Sequence, residues 1–110
     1  MSDRIIKINK LIREQLGQII NKEIELPLGT IITITKVTTA KDLRQANVFV
    51  SILPDEQIRE AMKTLIREAK ALRNWLNEKI VLRNIPKLRF HLDEEEKKAM
   101  EIDELLNNLK

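Results

Sequence analysis

The sequence contains no cysteine and no tyrosine, and only two glycines, three prolines and one histidine. Without cysteine there is no disulfide to staple the chain and no thiol nucleophile or thiolate ligand, a composition suited to a reducing compartment. The two glycines, Gly17 and Gly29, are too far apart to build a loop that cradles a nucleotide phosphate. His91 has no cysteine to pair with, and Ser2 and Ser51 are the only serines. No catalytic residue is therefore assigned, and no enzymatic activity is expected. The run His91-Leu92-Asp93-Glu94-Glu95-Glu96 collects metal-ligating residue types. A solvated helix start accounts for its acids better, so no metal and no cofactor is expected. The aromatics are Phe49, Trp75 and Phe90. With Trp75 and Phe90 assigned to the core, too few remain for a platform of stacked bases. No apolar run reaches membrane-spanning length, and the N-terminus has no signal-peptide core. A soluble cytoplasmic protein with no membrane partner is expected.

What is present is a globular composition, 43% hydrophobic and 34% charged over 110 residues, enough for one modest core. Charge is unevenly placed. Residues 1–92 hold seventeen Lys or Arg against ten Asp or Glu, a balance of +7. Residues 93–110 hold three against seven, a balance of −4, and the total is +3. A basic body followed by an acidic tail favours a polyanionic partner for the body.

Residues 3–24 read as a helix. Ile5, Ile8, Ile12, Leu16 and Ile19 share one face, with Leu11 and Ile20 on its flanks, and Ser2 or Asp3 is placed to cap it. Arg4, Lys7, Lys10 and Arg13 crowd its first half, where cations oppose the helix dipole. A chain that accepts this cost has a use for the charges. Gly17, mid-helix, marks a point of close packing. Pro27 and Gly29 form a turn. Residues 30–39, rich in Ile, Thr and Val, read as a strand whose phase is broken at Val37 and restored by a bulge near Lys36. After a turn at 40–44, residues 45–53 form a second strand, with Ala46, Val48, Val50 and Ile52 inward and Asn47, Phe49 and Ser51 outward. Strands this close in sequence pair antiparallel. Leu88, Phe90 and Leu92 alternate with Arg89 and His91 in a short third strand after a loop over 82–87. Asp93 caps a last helix whose first turn is acidic, with Ile102, Leu105, Leu106 and Leu109 as a weak apolar edge.

Between the second and third strands lies the longest helical pattern, residues 55–80. Pro54 and Asp55 open it, and Ile58, Met62, Leu65, Ala69, Leu72, Leu76 and Ile80 form one stripe. A straight helix of this length, roughly 39 Å, overhangs a domain about 34 Å across. The sequence therefore predicts a kink at Ala69, Lys70 and Ala71, where two small residues flank a long one. On the helical wheel, Arg73, Arg59, Lys70, Lys63 and Arg67 fall on one flank of the stripe, and Glu60, Glu68 and Glu78 on the other, with Glu56 and Lys79 as exceptions. Solvated pairs three residues apart, Glu56 with Arg59 and Glu60 with Lys63, are the plainer account of the same charges.

Three segments carry a family resemblance. They are Gly29-Thr30-Ile31-Ile32-Thr33-Ile34-Thr35-Lys36-Val37 followed by Asp42-Leu43, Ala46 and Val48-Phe49-Val50-Ser51; Ala69-Lys70-Ala71-Leu72-Arg73-Asn74-Trp75-Leu76; and residues 82–93, with Leu82-Arg83, Pro86, Leu88, Phe90 and Asp93 in fixed spacing. In these the chain resembles the ribosome-binding factor A family. The resemblance implies an α+β two-layer sandwich of the type II KH kind, ordered helix, strand, strand, kinked helix pair, strand. Residues 1–92 would be the KH-like RNA-binding domain and 93–110 an acidic, helical tail. It implies a non-enzymatic assembly factor that binds the immature small (30S) ribosomal subunit and assists late maturation of 16S rRNA, including 5′-end processing, with a link to cold adaptation. It leaves room for maturation GTPases as further partners, and a monomer is expected. The family replaces the GxxG loop of other KH domains with a kink at Ala-x-Gly. Here Ala71 stands where that Gly is usual, and Glu95 stands in place of a usual Ser.

The candidate RNA-binding set is Arg4, Lys7, Lys10, Arg13, Arg59, Lys63, Arg67, Lys70 and Arg73. Such cations bind by releasing counterions from phosphates, which needs no reading of bases. The alternatives are a protein-interaction module, using the edge at 102–109, and a generic RNA-binding adaptor.

Overall fold

The computed structural model describes residues 3–95. The expected cap at Ser2 and the tail from Glu96 on, with its apolar edge at Ile102, Leu105, Leu106 and Leu109, lie outside the described residues. The order is α1 (Asp3–Glu23), β1 (Ile31–Thr39), β2 (Gln45–Leu53), a 3₁₀ turn (Asp55–Gln57), α2 (Ile58–Arg67), α3 (Ala69–Lys79) and β3 (Lys87–Leu92). The strands form one sheet in the order β1-β2-β3. β1 and β2 pair antiparallel, while β3 lies parallel to β2. A parallel return needs a long crossover, and the helix pair between β2 and β3 supplies it.

One core holds the layers together. Ala46, Val48, Val50 and Ile52 of β2 are buried against Ile8, Ile12 and Leu16 of α1, Ala61 and Leu65 of α2, and Leu72 and Leu76 of α3. All three helices thus cover the same face of the sheet. Each large aliphatic side chain taken fully out of water stabilises the fold by about 1.5–3 kcal/mol before entropy is counted. The strict alternation along β2 follows from having one face buried.

In β1 the register shifts between Ile34 and Lys36, which leaves Thr35 as the extra residue. The bulge returns Val37 to the core beside Ile32 and Ile34. The Thr35 hydroxyl donates to Asp93 Oδ2 at 2.5 Å and lies 3.2 Å from the Phe49 carbonyl. Its single proton serves the charged acceptor better. The bulge is thereby tied to the end of β3, where Asp93 also donates its backbone N–H to the Val50 carbonyl at 2.8 Å.

The long helical pattern differs from expectation in three places. Asp55 makes no side-chain cap, and the segment opens on the 3₁₀ turn before α2 begins at Ile58. The centre of the α2 stripe lies at Ala61, while Ile58 and Met62 are only partly buried against the core. The interruption falls at Glu68, with φ −91° and ψ 4°, one residue ahead of the predicted Ala69, Lys70 and Ala71. That conformation has a negative φ in the bridge region, which L-residues adopt, so no glycine is needed. The backbone bonds from Glu68 N to Thr64 O and from Leu72 N to Glu68 O, both 2.9 Å, persist across it.

The two glycines differ in kind. Gly29 has φ +88° as the third residue of a turn closed by the Thr30 N–H on the Pro27 carbonyl at 3.0 Å, a position where glycine is favoured. Gly17 does not mark close packing. Beyond the adjoining backbone of its own helix, a methyl group built there meets no atom within 4 Å. Gly17→Ala is therefore expected to stabilise the protein by about 1 kcal/mol, through helix propensity and a less flexible unfolded chain. Thermal unfolding checks this: a rise of about 4–8 °C is expected, and a fall would mean an unseen neighbour at that face.

Candidate nucleic-acid interface

The predicted cations divide between two places. On α1, Arg4, Lys7, Lys10 and Arg13 are exposed, and Arg4 and Lys7 line a groove of about 320 Å³ with Ile8, Leu11 and Leu82. On the helix pair, Arg59, Lys63, Arg67 and Lys70 are exposed and Arg73 is half-buried. Lys63 Nζ lies 3.8 Å from Glu60, and Arg67 Nε lies 3.6 Å from Glu68. Among the described residues Glu56 forms no ion pair with Arg59, and Lys70 has no acidic partner within bonding distance. The pairs that do form are solvated and worth little, so they leave these cations available to an anion.

The two sets touch at one point. α1 packs on α3, and this brings Arg4 and Arg73 to the wall of one pocket of about 520 Å³. The same pocket is lined by Arg44, Arg83 and Lys87, which were absent from the predicted set, and by a single acid, Asp42. Arg44 ends the turn before β2, Arg83 sits in the loop after α3, and Lys87 begins β3. The turn is held by Leu43 N–H on the Ala40 carbonyl, Ala40 N–H on the Gln45 carbonyl and Arg44 N–H on the Asp42 carboxylate at 3.0 Å. It places Leu43 at φ +61°, a left-handed conformation uncommon for leucine. The Lys87 N–H donates to the Arg44 carbonyl at 2.9 Å and ties turn to strand. Arg73 Nε donates to the Ile85 carbonyl at 2.8 Å and holds the loop against α3. Lys10 and Arg13 lie further along α1, and Arg59, Lys63, Arg67 and Lys70 line no part of this pocket.

On the sheet face away from the helices, His91 stacks on Phe49 with ring centroids 5.1 Å apart. Lys36 Nζ lies 4.6 Å from the Phe49 centroid, and His91 Nε2 is 2.9 Å from Asn47 Oδ1. These contacts follow the register, which sets Phe49 beside Lys36 on one side and His91 on the other. Phe49 is thus flanked within its own sheet. Phe90 is buried and Trp75 packs half-exposed on the core. Among the described residues no three His, Cys, Asp or Glu side chains gather closely enough to hold a metal ion, and no helix is long and apolar enough to cross a membrane.

A sequence model described as ribosome-binding factor A matches residues 4–106. The chain belongs to the ribosome-binding factor A family. It is 36% identical over 107 residues to the family member of Clostridium perfringens, covering 94% of this chain and 92% of that one. It is 34% identical over 108 residues to the member from Protochlamydia amoebophila, covering 96% and 82% respectively. The crystal structure of ribosome-binding factor A from Thermus thermophilus superposes with a TM-score of 0.71 at 22% identity, over 80% of this chain and 94% of that one. A Thermus thermophilus model fitted into the cryo-EM map of a complex with the 30S subunit gives a TM-score of 0.67 at 24% identity, over 76% and 88%. These likenesses establish the α+β fold of the family for this chain, and membership makes it a ribosome-binding factor rather than an enzyme.

Proposed function

We propose that this protein binds the immature small ribosomal subunit in the cytoplasm and assists late maturation of 16S rRNA, including processing at its 5′ end. The observation that carries this reading is the family match over residues 4–106, which takes in every Lys and Arg of the basic body. Its relative from Thermus thermophilus is placed on the 30S subunit. The cations on α1, α2 and α3 suit a partner recognised through backbone charge and shape. The protein acts as a monomer without a cofactor, has a role in cold adaptation, and maturation GTPases are its further partners.

Co-sedimentation with small subunits from cells depleted of the protein tests this. The expected result is binding that favours immature over mature subunits and is lost on RNase treatment. Binding that survives RNase would point to a protein-interaction module, and equal binding to any RNA would point to a generic adaptor.

Within this reading residues 1–92 are the RNA-binding body and 93–110 moderate its charge. Truncation after Asp93 leaves a chain of net charge +6, counting seventeen Lys or Arg against eleven acids. Its affinity for generic RNA at low salt is expected to rise by about three- to tenfold, and the gain should vanish as salt is raised. Filter binding across a salt series checks it, and an unchanged affinity would remove the moderating role.

A further inference from the structure

We infer that the pocket at the head of β2 and β3 takes a backbone phosphate from a non-helical stretch of RNA, as a site separate from the basic flank of α2. The RNA partner rests on the function proposed above; the anion site rests on the pocket itself.

Five cations from separate elements line one cavity: Arg4 from α1, Arg44 from the turn before β2, Arg73 from α3, Arg83 from the following loop and Lys87 from the start of β3. Folding brings these cations together against their mutual repulsion. Asp42 is the only acid in the lining, and its carboxylate already accepts the Arg44 N–H. A concave site of one sign between low-dielectric walls focuses the field on an anion. Four of the five are arginines, whose planar fork matches phosphate oxygens in pairs, which an ammonium group cannot do. Arg73 is already fixed through its Nε on the Ile85 carbonyl, so its terminal nitrogens remain for a ligand. The Lys87 bond to the Arg44 carbonyl locks the two sides of the pocket to each other, so little ordering is left for binding to supply.

Size and lining narrow the ligand. At about 520 Å³ the pocket has the volume of a small-molecule site, larger than a single phosphate needs and suited to one nucleotide unit. A regular duplex keeps its backbone on a convex surface and its bases stacked. An unstacked strand can turn a phosphate inward while its base swings away. No aromatic lines the pocket, so it holds the phosphate and tolerates any base.

The test uses the full chain with Arg44→Gln combined with Arg83→Gln. Both side chains are exposed, whereas Arg73 is left alone because it also anchors the loop. Affinities for a single-stranded oligoribonucleotide and for an RNA duplex of equal length are measured at constant ionic strength. The expected result is a loss of about tenfold or more for the single strand and less than about twofold for the duplex. Arg44→Lys combined with Arg83→Lys keeps the charge and is expected to recover only part of that loss. Inorganic pyrophosphate is expected to shift the Arg73 and Arg83 side-chain NMR signals before those of Arg59. Equal losses for both RNAs, or full recovery by lysine, would reduce the pocket to part of a general positive field and overturn the inference. Pyrophosphate shifts spread evenly over the helices would do the same. If small subunits still co-sediment in that case, the proposed function stands without the pocket. If the unaltered protein fails to co-sediment while the strand preference holds, the pocket stands as an RNA site and the ribosomal reading falls.

Discussion

Arg67→Glu combined with Lys70→Glu is expected to weaken binding to the small subunit by about a hundredfold near physiological salt. Each phosphate neutralised by a cation contributes about 0.9 to the slope of log affinity against log salt. Near 0.15 M salt that is about fivefold per contact, so losing two contacts costs roughly thirtyfold, and the added carboxylates repel the same phosphates. The slope itself should flatten by about 2. Arg67 and Lys70 stand on either side of the interruption at Glu68, on the exposed flank of α2 and α3. The contact of Arg67 with Glu68 joins two solvated groups and does not compete with a phosphate. Stability should change by no more than ~0.5 kcal/mol, because neither side chain caps a helix or packs in the core. Co-sedimentation or surface binding at four salt concentrations, with circular dichroism as the fold control, measures both quantities. Affinity and slope that stay unchanged in a folded variant would move the RNA contact off this flank.

Helical spacing groups residues 59, 63, 67, 70 and 73 without any knowledge of the fold; in the structure the first four are exposed, while Arg73 is half-buried and lines the pocket that the other four do not. β2 was legible for a similar reason, since burial of one face imposes a period of two from Ala46 to Ile52. The bulge announced itself through the phase error at Val37, and the register shift after Ile34 places it at Thr35. The pocket was not legible. Arg44, Arg83 and Lys87 lie in a turn, a loop and a strand start that share no periodicity, and only the parallel pairing of β3 on β2 brings Gln45 beside Lys87. Parallel pairing is set by the crossover, which a sequence pattern does not orient. Ala61 was missed as a core residue because alanine gives a weak apolar signal, although it lies one turn before Leu65 and is as deeply buried. Gly17 was over-read, since a helical glycine signals packing only where something approaches it.

Leu72→Ala is expected to have the largest effect on stability. Leu72 is fully buried in α3, in the core shared by all three helices and the inner face of the sheet. Removing its branched end loses the transfer free energy of those atoms and leaves a cavity that rigid neighbours fill only in part, at a cost of about 3–5 kcal/mol. Domains of this size hold about 5–15 kcal/mol in total, so the variant keeps a marginal fold. At about 4–8 °C per kcal/mol, the melting temperature should fall by about 12–40 °C. The effect should reach the proposed phosphate pocket, because Leu72 lies next to Arg73 in sequence and its N–H bonds to the Glu68 carbonyl across the interruption. RNA affinity of the variant should therefore stay near that of the parent at low temperature and collapse as α3 loosens, well below the parent's own melting point. Ile66→Ala is the control. Ile66 is 61% exposed on α2, and its truncation should cost no more than ~0.5 kcal/mol. Denaturant and thermal unfolding of the two variants side by side decide the matter. A cost below about 1 kcal/mol at Leu72 would mean that α3 is not keyed into the core, and the fixed geometry claimed for Arg73 would lose its support.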